Sequence, residues 1–472
     1  MTRPIGSSLR PALMAGLQIA LLAGGLRTPA LASTPDAGWR PRWQVACRTD
    51  GSEGSDHGQA VMPVACGPLV LWNAGRSIHA VRIEDGRHPW LTAPKTSLVF
   101  PRGSRFPRAD LSNALPPLAV AVVGHRAVAI LDGLSEPDGL TGPDAAGERS
   151  LLVCLDMSAA AEGRLIWQAM PPTVLDERGK LRETLFDGPP AADGELVCCV
   201  VRSRMPADWL AVVAFDIRDG RPLWSRPLGF SIDGDGIDHA RRSRVACLAE
   251  DRVVVATHAG MAAAFDRDGG PAWRTELPTA GRRHPASHAP GPPTGLVAHA
   301  GDRIVVVPAD RPGVLALDVQ SGRVVWNHTA DPKPRLVAVS PHTVIISTKP
   351  ADDSGTTLDL VAIATADGNL LSRRSIGHSA LADPGSGLIK GPRLFLPTLT
   401  AAGSWSLHSL DAALLQDRSA AEDLSALFSS RPAPNSLSLG AIADSLLIAS
   451  DGMMICCDIL PADETTPRII DR

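Results

Sequence analysis

Arginine residues cluster at three places between the apolar segments of the chain. The clusters contain Arg102, Arg105 and Arg108, then Arg241, Arg242 and Arg244, and finally Arg282 and Arg283. Guanidinium groups bind carboxylates and other oxyanions through paired hydrogen bonds. We therefore predict a binding surface formed by Arg105, Arg108, Arg241, Arg242, Arg282 and Arg283, which would accept an acidic peptide or an anionic glycan. The alternative interpretation is that these arginines are solvated loop charges without a ligand.

No set of residues in the sequence predicts a catalytic centre or a metal site. The segment 231–238 carries oxygen donors at alternate positions, as the first part of a calcium-binding loop does. The distal Glu of such a loop is absent, and Arg242 or Arg244 stands at that spacing. Paired Cys/His spacing for zinc, a phosphate-binding Gly loop and a nucleophile elbow are also missing. The sequence therefore favours a protein that is not an enzyme.

The chain contains eight cysteines, and most of them lie inside apolar, strand-like segments. Such cysteines behave as small buried hydrophobic residues. Cys198 and Cys199 are adjacent in one of these segments, where successive side chains point to opposite faces, so we expect no disulfide between them. Cys47 and Cys66 bracket a polar segment and are the best candidates for a disulfide.

The first 32 residues have the pattern of a secretory signal. Arg3 and Arg10 lead into the apolar stretch 12–26, and Ala30-Leu31-Ala32 fits a cleavage site before Ser33. We therefore expect an exported protein, periplasmic or secreted after cleavage near Ala32, with a single domain over 33–472. No later segment is apolar for long enough to span a bilayer. Cleavage would remove three arginines and no acid from a chain of net charge −4, which argues against a nucleic-acid partner.

A repeated unit of roughly fifty residues determines the expected fold. Its clearest copies are AVVAFDIRDGRPLW (211–224), AAAFDRDGGPAW (262–273) and VLALDVQSGRVVW (314–326). Each copy has an apolar strand that ends in a reference residue, then a turn with Gly, then a strand with Trp. The reference residues are Arg82, Asp156, Asp216, Asp266, Asp318, Ala364, Asp411 and Asp458. An apolar segment precedes each of them, as a hairpin requires. Repeats of this length are typical of four-stranded propeller blades.

The tryptophans of the repeat indicate how the ring closes. Trp90, Trp167, Trp224, Trp273 and Trp326 each follow the turn Gly by four residues, and Ser372 takes this place in the sixth copy. Trp43 stands before the first copy, at the spacing of an outermost strand. We therefore predict an all-β fold, an eight-bladed β-propeller of four-stranded antiparallel blades. The N-terminal strand around 39–45 completes the last blade, so that no sheet edge is left open.

These residues resemble the PQQ-like (pyrroloquinoline quinone) repeat family. The matching stretches are 214–224, 316–326 and, more loosely, 153–167. The resemblance implies an eight-bladed propeller in which Trp43, Trp90, Trp167, Trp224, Trp273 and Trp326 pack between neighbouring blades. The family contains quinoprotein alcohol dehydrogenases, which bind the quinone and calcium, and non-enzymatic scaffolds similar to BamB. We expect no cofactor, the alternative being a dehydrogenase with PQQ and calcium.

Strand order assigns the connections to two faces. If the Asp-Gly turns, such as Asp219-Gly220, join the third and fourth strands, they lie on one face, here called the turn face. The long connections 92–117, 171–190, 229–244 and 278–293 then lie on the opposite, loop face. Long insertions on one side of a regular scaffold commonly form binding surfaces. We therefore predict an exported, non-catalytic scaffold that binds a protein or anionic polymer of the cell envelope through its loop face.

Overall fold

The computed structural model describes residues 39–47, 62–75, 77–87, 89, 119–131, 150–161, 163–203, 209–230, 245–249, 251–257, 261–277, 297–308, 313–329, 334–348, 357–377, 379–381, 387–400, 404–418, 422–424, 437–442, 444–450 and 453–459. All of them belong to one compact unit, 33–472. Every regular element among them is a strand, so this part of the chain has no helix of the length and apolarity needed to cross a bilayer.

The strands form small antiparallel sheets in chain order, and each sheet is a blade. The first strand is β1 (Trp39–Ala46). Blade 1 contains β2 (Val64–Cys66), β3 (Leu69–Asn73) and β4 (Ile78–Arg82). Blade 2 contains β5 (Ala121–Val123), β6 (Arg126–Leu131), β7 (Leu151–Asp156) and β8 (Arg164–Ala169). A separate hairpin follows, with β9 (Val174–Leu175) and β10 (Leu181–Arg182). Blade 3 contains β11 (Thr184–Phe186), β12 (Ala191–Ala192), β13 (Leu196–Ser203), β14 (Trp209–Asp216) and β15 (Pro222–Phe230).

The second half of the chain continues the pattern. Blade 4 contains β16 (Val245–Ala249), β17 (Arg252–Thr257), β18 (Met261–Asp266) and β19 (Pro271–Glu276). Blade 5 contains β20 (Val297–Ala300), β21 (Arg303–Val306), β22 (Val314–Asp318) and β23 (Val324–His328). Blade 6 contains β24 (Arg335–Val339), β25 (Thr343–Thr348), β26 (Thr357–Ala364) and β27 (Leu370–Gly377). Blade 7 contains β28 (Ser379–Leu381), β29 (Leu388–Lys390), β30 (Arg393–Thr400), β31 (Trp405–Asp411) and β32 (Glu422–Asp423). Blade 8 contains β33 (Leu437–Ile442), β34 (Ser445–Ser450) and β35 (Met453–Ile459), and β1 pairs with β35.

The innermost strands touch one another in a closed cycle. The contacting pairs are β2 with β5, β5 with β12, β12 with β16, β16 with β20, β20 with β24, β24 with β29, β29 with β33, and β33 with β2. The predicted eight-bladed propeller is thereby confirmed. Three blades depart from a plain four-stranded sheet. The described residues of blade 1 form three strands, and in blades 3 and 7 two short strands share the innermost position. In blade 3 that strand is divided at 187–190, where Pro189 and Pro190 have no N–H to donate to a sheet.

The hydrophobic core of the propeller lies between blades rather than within one blade. Within the described residues there is one buried apolar cluster at every junction of adjacent blades. In β14, Ala211 and Val213 belong to the junction with blade 2, and Leu210 and Val212 to the junction with blade 4. Each strand is therefore apolar on both faces, which explains why these segments read as continuous hydrophobic runs.

The N-terminal strand closes the ring as predicted. In β1, Arg40 lies opposite Asp458 and Trp43 opposite Cys456 in an antiparallel pair with β35. Arg42 forms an ion pair with Asp458 across the same strands. The outermost strand of blade 8, β1, thus comes from the start of the domain and pairs with β35 from its end.

The adjacent cysteines lie in regular strands and point to different junctions. Cys198 and Cys199 pair across β14 with Ala214 and Val213, and each belongs to a different apolar cluster. Cys47 and Cys66 do not form a disulfide with each other in the structure. The Cys47 Sγ lies 3.6 Å from the carbonyl oxygen of Ser450, and the Cys66 Sγ lies 3.7 Å from that of Gly124.

Candidate functional site

The arginines predicted to bind a ligand lie outside the described residues. This applies to Arg105, Arg108, Arg241, Arg242, Arg282 and Arg283, and also to Trp90. The other five tryptophans of the repeat, and one part of the loop face, are described.

Each described tryptophan of the repeat joins its own blade to the next one. The indole N–H donates a hydrogen bond to the backbone carbonyl that follows the reference residue of the next blade. The donor–acceptor pairs are Trp43 to Ile83 (2.7 Å), Trp167 to Ile217 (2.8 Å), Trp224 to Arg267 (2.7 Å), Trp273 to Val319 (2.8 Å) and Trp326 to Thr365 (2.8 Å). The rings also lie against the turn glycines Gly86, Gly220, Gly269, Gly322 and Gly368. Four of the five side chains are buried and Trp273 is half-buried, so these rings are engaged in packing between blades.

A β-bulge directs each tryptophan towards its neighbour. In blade 3, Trp224 lies opposite Ala214 and Pro222 opposite Phe215, so Leu223 between them has no partner on β14. The equivalent bulged residues are Arg42, Ile166, Ala272, Val325 and Leu371. A bulge adds twist and re-aims the following side chain. The repeat pattern did not predict this bulge, although its signal, an apolar residue directly before the Trp, is present in four of these blades.

The described part of the loop face contains the hairpin β9–β10. It lies between the outermost strand of blade 2 and the innermost strand of blade 3, in a segment that the sequence analysis treated only as a connection. Residues 176–180 form its turn, in which Gly179 has a φ of 72°. Asp176 three residues before Gly179, between Val174-Leu175 and Leu181, was the signal that could have revealed the hairpin.

Asp176 holds the hairpin turn in one conformation. Its Oδ1 accepts the amide N–H groups of Arg178 (2.9 Å) and Lys180 (2.8 Å), and its Oδ2 accepts two N–H groups of Arg182 (2.8 and 3.0 Å). The residue is only 6% exposed. The hydrogen bond from the Lys180 amide, followed by those from Arg182 and Arg178, lowers the pKa of Asp176 below its ordinary value. The turn therefore keeps its charge and its shape at neutral pH.

Two further contacts fix the hairpin to blade 3. The indole N–H of Trp209, a fully buried residue at the start of β14, donates to the Glu177 carboxylate at 3.1 Å. The Thr184 hydroxyl at the start of β11 donates to the Pro172 carbonyl at 2.7 Å. The hairpin is thus a rigid part of the loop face.

The hairpin presents two leucines to solvent. Leu175 and Leu181 lie directly opposite each other across the two strands. They are 55% and 65% exposed, and Met170, which precedes the hairpin, is 51% exposed. Exposed apolar residues held in a fixed geometry are a common mark of an interaction site.

Comparison with known proteins identifies the family. The sequence profile of the family described as outer membrane protein assembly factor BamB matches residues 145–283 and 211–387. Together these matches cover just over half of the chain. The chain belongs to this family. No curated protein is similar enough in sequence to match it.

Solved structures share the fold of this BamB-family chain at low sequence identity. BamB from Moraxella catarrhalis is 13% identical with a TM-score of 0.53, over 89% of this chain and 99% of that one. The quinohemoprotein alcohol dehydrogenase ADHIIG from Pseudomonas putida HK5 is 10% identical with a TM-score of 0.54, over 92% and 78%. The quinohemoprotein alcohol dehydrogenase from Comamonas testosteroni is 11% identical with a TM-score of 0.52, also over 92% and 78%. The resemblance to PQQ-like repeat propellers is confirmed.

The dehydrogenase neighbours raise the question of a quinone and calcium site. Calcium takes oxygen ligands, mainly carboxylates, amides and backbone carbonyls. The innermost strands described here are mostly aliphatic, for example Ala121–Val123, Ala191–Ala192 and Leu388–Lys390. No three residues of the His, Cys, Asp and Glu types come together as a possible metal site in the described part of the chain. The described residues therefore do not provide a ligand set that fits this cofactor and its calcium ion.

Proposed function

We propose that this BamB-family chain is an exported, non-catalytic scaffold of the cell envelope that binds a protein or polymer partner through its loop face. The observation that carries the proposal is the rigid hairpin with its exposed pair, Leu175 and Leu181. The secretory pattern of residues 1–32 and the description of the family support the location in the envelope.

The apolar chemistry of the hairpin favours a protein as the partner. Burying a leucine side chain contributes about 1.5–3 kcal/mol. Because Asp176 and Trp209 already fix the hairpin, little conformational freedom is lost when a partner covers it. A partner segment with an apolar patch complementary to two neighbouring leucines fits this surface.

A capture experiment from the native envelope fraction tests the proposal. The purified protein and its Leu175→Asp/Leu181→Asp variant are immobilised, and the retained proteins are compared by mass spectrometry. The matched control is Leu370→Asp/Leu371→Asp, which changes two exposed leucines on the outermost strand of blade 6. We expect one discrete partner to be retained by the wild type and by the control, and lost with the hairpin variant. If the hairpin variant retains the same partner as the wild type, the proposal is contradicted.

The alternative is a quinone-dependent dehydrogenase, which the fold of two neighbouring structures favours. Melting is measured with and without added PQQ and calcium, because a ligand that binds the native state raises Tm. We expect no shift. A saturable rise in Tm would support the alternative.

A further inference from the structure

A cleft of about 760 Å³ opens on the turn face between blades 2 and 3. Blade 2 contributes polar side chains from the start of β6, the end of β7, the turns next to them and β8, and blade 3 contributes one from the turn after β14. The polar side chains are His125, Arg126, Asp156, Ser158, Arg164 and Arg218. Val123, Ile166 and Ile217 supply apolar wall. The cleft is on the face opposite the hairpin and is independent of the proposed function.

His125 stands where the next three blades carry an acid. The residue directly before the second strand is Glu195 in blade 3, Asp251 in blade 4 and Asp302 in blade 5. In blade 2 the same position, directly before β6, is His125. The replacement removes a carboxylate from the junction between blades 2 and 3.

The next two junctions show what that carboxylate does. Between blades 3 and 4, Arg267 pairs with Asp193 and Glu195 of the preceding blade. Between blades 4 and 5, the Gln320 amide donates to the Asp251 carboxylate at 3.3 Å. A carboxylate of one blade thus accepts a hydrogen bond from a side chain in the turn of the next blade, which bridges the junction.

Arg218 is the counterpart of Gln320 at the junction with the cleft. Each lies two residues after the Asp that ends the third strand, Asp216 or Asp318. Arg218 is highly exposed and pairs with Asp216 of its own turn, with an N–O distance of 2.6 Å. The preceding blade offers it an imidazole instead of a carboxylate, so the bridge across the junction is missing.

Two more arginines line the same cleft with donors to spare. Arg126 is half-buried, and its Nη1 donates to the Ile217 carbonyl across the junction at 3.0 Å. A guanidinium has five N–H donors, so Arg126 is fixed in place and can still bind a ligand. The Arg164 side chain is exposed, and its guanidinium has no hydrogen bond to any described residue.

Asp156, the carboxylate in the lining, is already engaged. Its Oδ1 accepts the Ser158 amide at 3.0 Å. That hydrogen bond, followed by one from the Ser158 side chain and by the charges of Arg164 and His125, lowers the pKa of Asp156. The lining itself thus contains three guanidinium groups and one carboxylate. The carboxylates of Asp216, Asp219 and Glu195 act on Arg218 from beside the cleft, which leaves Arg126 and Arg164 as its main donors to a ligand.

We infer that this cleft binds an acidic peptide segment, whose carboxylates replace the missing acid of blade 2. Carboxylates accept paired hydrogen bonds from Arg126, Arg164 and Arg218, and apolar side chains of the peptide pack on Val123, Ile166 and Ile217. The open shape and apolar wall fit a peptide better than a single small anion.

Fluorescence anisotropy with a labelled Glu-Leu-Glu-Glu-Leu-Glu peptide tests the inference on the purified protein. We expect saturable binding, and no binding of the same peptide with Gln in place of Glu. Arg164→Glu is expected to weaken binding about tenfold or more, since it replaces a charge-assisted donor with a like charge. The matched control is Arg323→Glu, because Arg323 is also exposed and also lies three residues before the repeat Trp. It is expected to leave the affinity unchanged.

His125→Glu supplies the acid that blades 3, 4 and 5 carry at this position. We expect this variant to raise Tm, because the new carboxylate pairs with the cleft arginines, and to weaken peptide binding about tenfold. The inference is overturned if Arg164→Glu and His125→Glu bind like the wild type, or if Arg323→Glu weakens binding equally. It is also overturned if inorganic phosphate binds, is weakened by Arg164→Glu and His125→Glu, and the peptide does not bind at all. Leu175→Asp/Leu181→Asp should leave peptide binding unchanged, which separates this site from the loop face.

Discussion

Trp326 of blade 5 packs so closely on Gly368 of blade 6 that a Cβ atom on the glycine would lie 2.7 Å from the indole ring. The indole N–H donates to the Thr365 carbonyl of the same turn at 2.8 Å. The glycine is required twice, for the space that its missing side chain leaves and for its φ of 76°. The Trp of one blade and the turn Gly of the next therefore form one Trp–Gly contact that joins neighbouring blades.

Gly368→Ala is expected to lower the free energy of unfolding by about 2–4 kcal/mol, from backbone strain and overpacking together. The control is Gly301→Ala, where φ is 65° and no atom lies within 4 Å of the new Cβ. It should lose only the backbone contribution, about 1–2 kcal/mol. Urea unfolding of both variants measures the difference. Equal losses would mean that the contact with Trp326 is unimportant.

The junction between blades 6 and 7 lacks both residues of this Trp–Gly contact. Ser372 replaces the Trp, and its hydroxyl donates to the Ala413 carbonyl at 2.7 Å. Leu415 replaces the Gly, with a φ of 53° and only 1% exposure. A leucine is accommodated at this turn because no indole ring occupies the space.

We expect Ser372→Trp alone to be strongly destabilising, since the ring would overlap Leu415. Leu415→Gly alone relieves the strain of the positive φ at this position but leaves a cavity where the leucine side chain was. The double variant restores the pair found at the other junctions and should be more stable than the sum of the single changes by about 1–3 kcal/mol. A double-mutant cycle from urea unfolding gives this coupling energy. Additivity within about 0.5 kcal/mol would contradict the interpretation.

Trp43 controls the closure of the ring. Trp43→Ala removes the packing of β1 on blade 1 and should lower the free energy of unfolding by about 3–5 kcal/mol. Because β1 is far along the chain from the other strands of blade 8 and Trp43 packs in the apolar cluster that joins it to blades 8 and 1, we expect amide hydrogen exchange to rise first in 39–46 and 453–459. Trp273→Ala, in the middle of the chain, is the comparison and should leave those segments protected. Uniform acceleration in all blades would contradict this role of β1.

Asp216 makes the propeller sensitive to acid. Hydrogen bonds from the Arg218 side chain, at 2.6 and 3.0 Å, and from its amide lower the pKa of Asp216 to about 2. An unfolded Asp titrates near about 3.9, so the stabilisation is complete above about pH 4 and is lost as the pH falls towards 2. We expect the stability difference between wild type and Asp216→Asn to shrink from pH 5 to about pH 2. A difference that stays constant with pH would show that the ion pair contributes nothing.

Local pattern was sufficient to predict the fold from the sequence. The reference residue ends the third strand in seven blades, from Arg82 to Asp411, and Trp43 lies on the strand that closes the eighth. Such features depend on residues a few positions apart, such as an apolar run followed by a turn Gly.

Features that depend on two blades at once could not be predicted in this way. The cleft requires His125 of blade 2 to face Arg218 of blade 3, residues far apart in sequence. The attachment of the hairpin to blade 3 depends on Trp209 reaching Glu177, which only the folded ring brings together, whereas the Asp176 turn itself is local. The arginines predicted to bind a ligand remain a prediction, since they lie outside the described residues.

Site-specific photo-crosslinking in the native envelope tests the central claim most directly. A photo-reactive phenylalanine is placed at position 181 on the hairpin, and in a matched protein at position 370 on the rim of blade 6. We expect one discrete protein adduct from position 181 and none of the same mass from position 370. Absence of an adduct from position 181, or identical adducts from both positions, would contradict a partner-binding loop face.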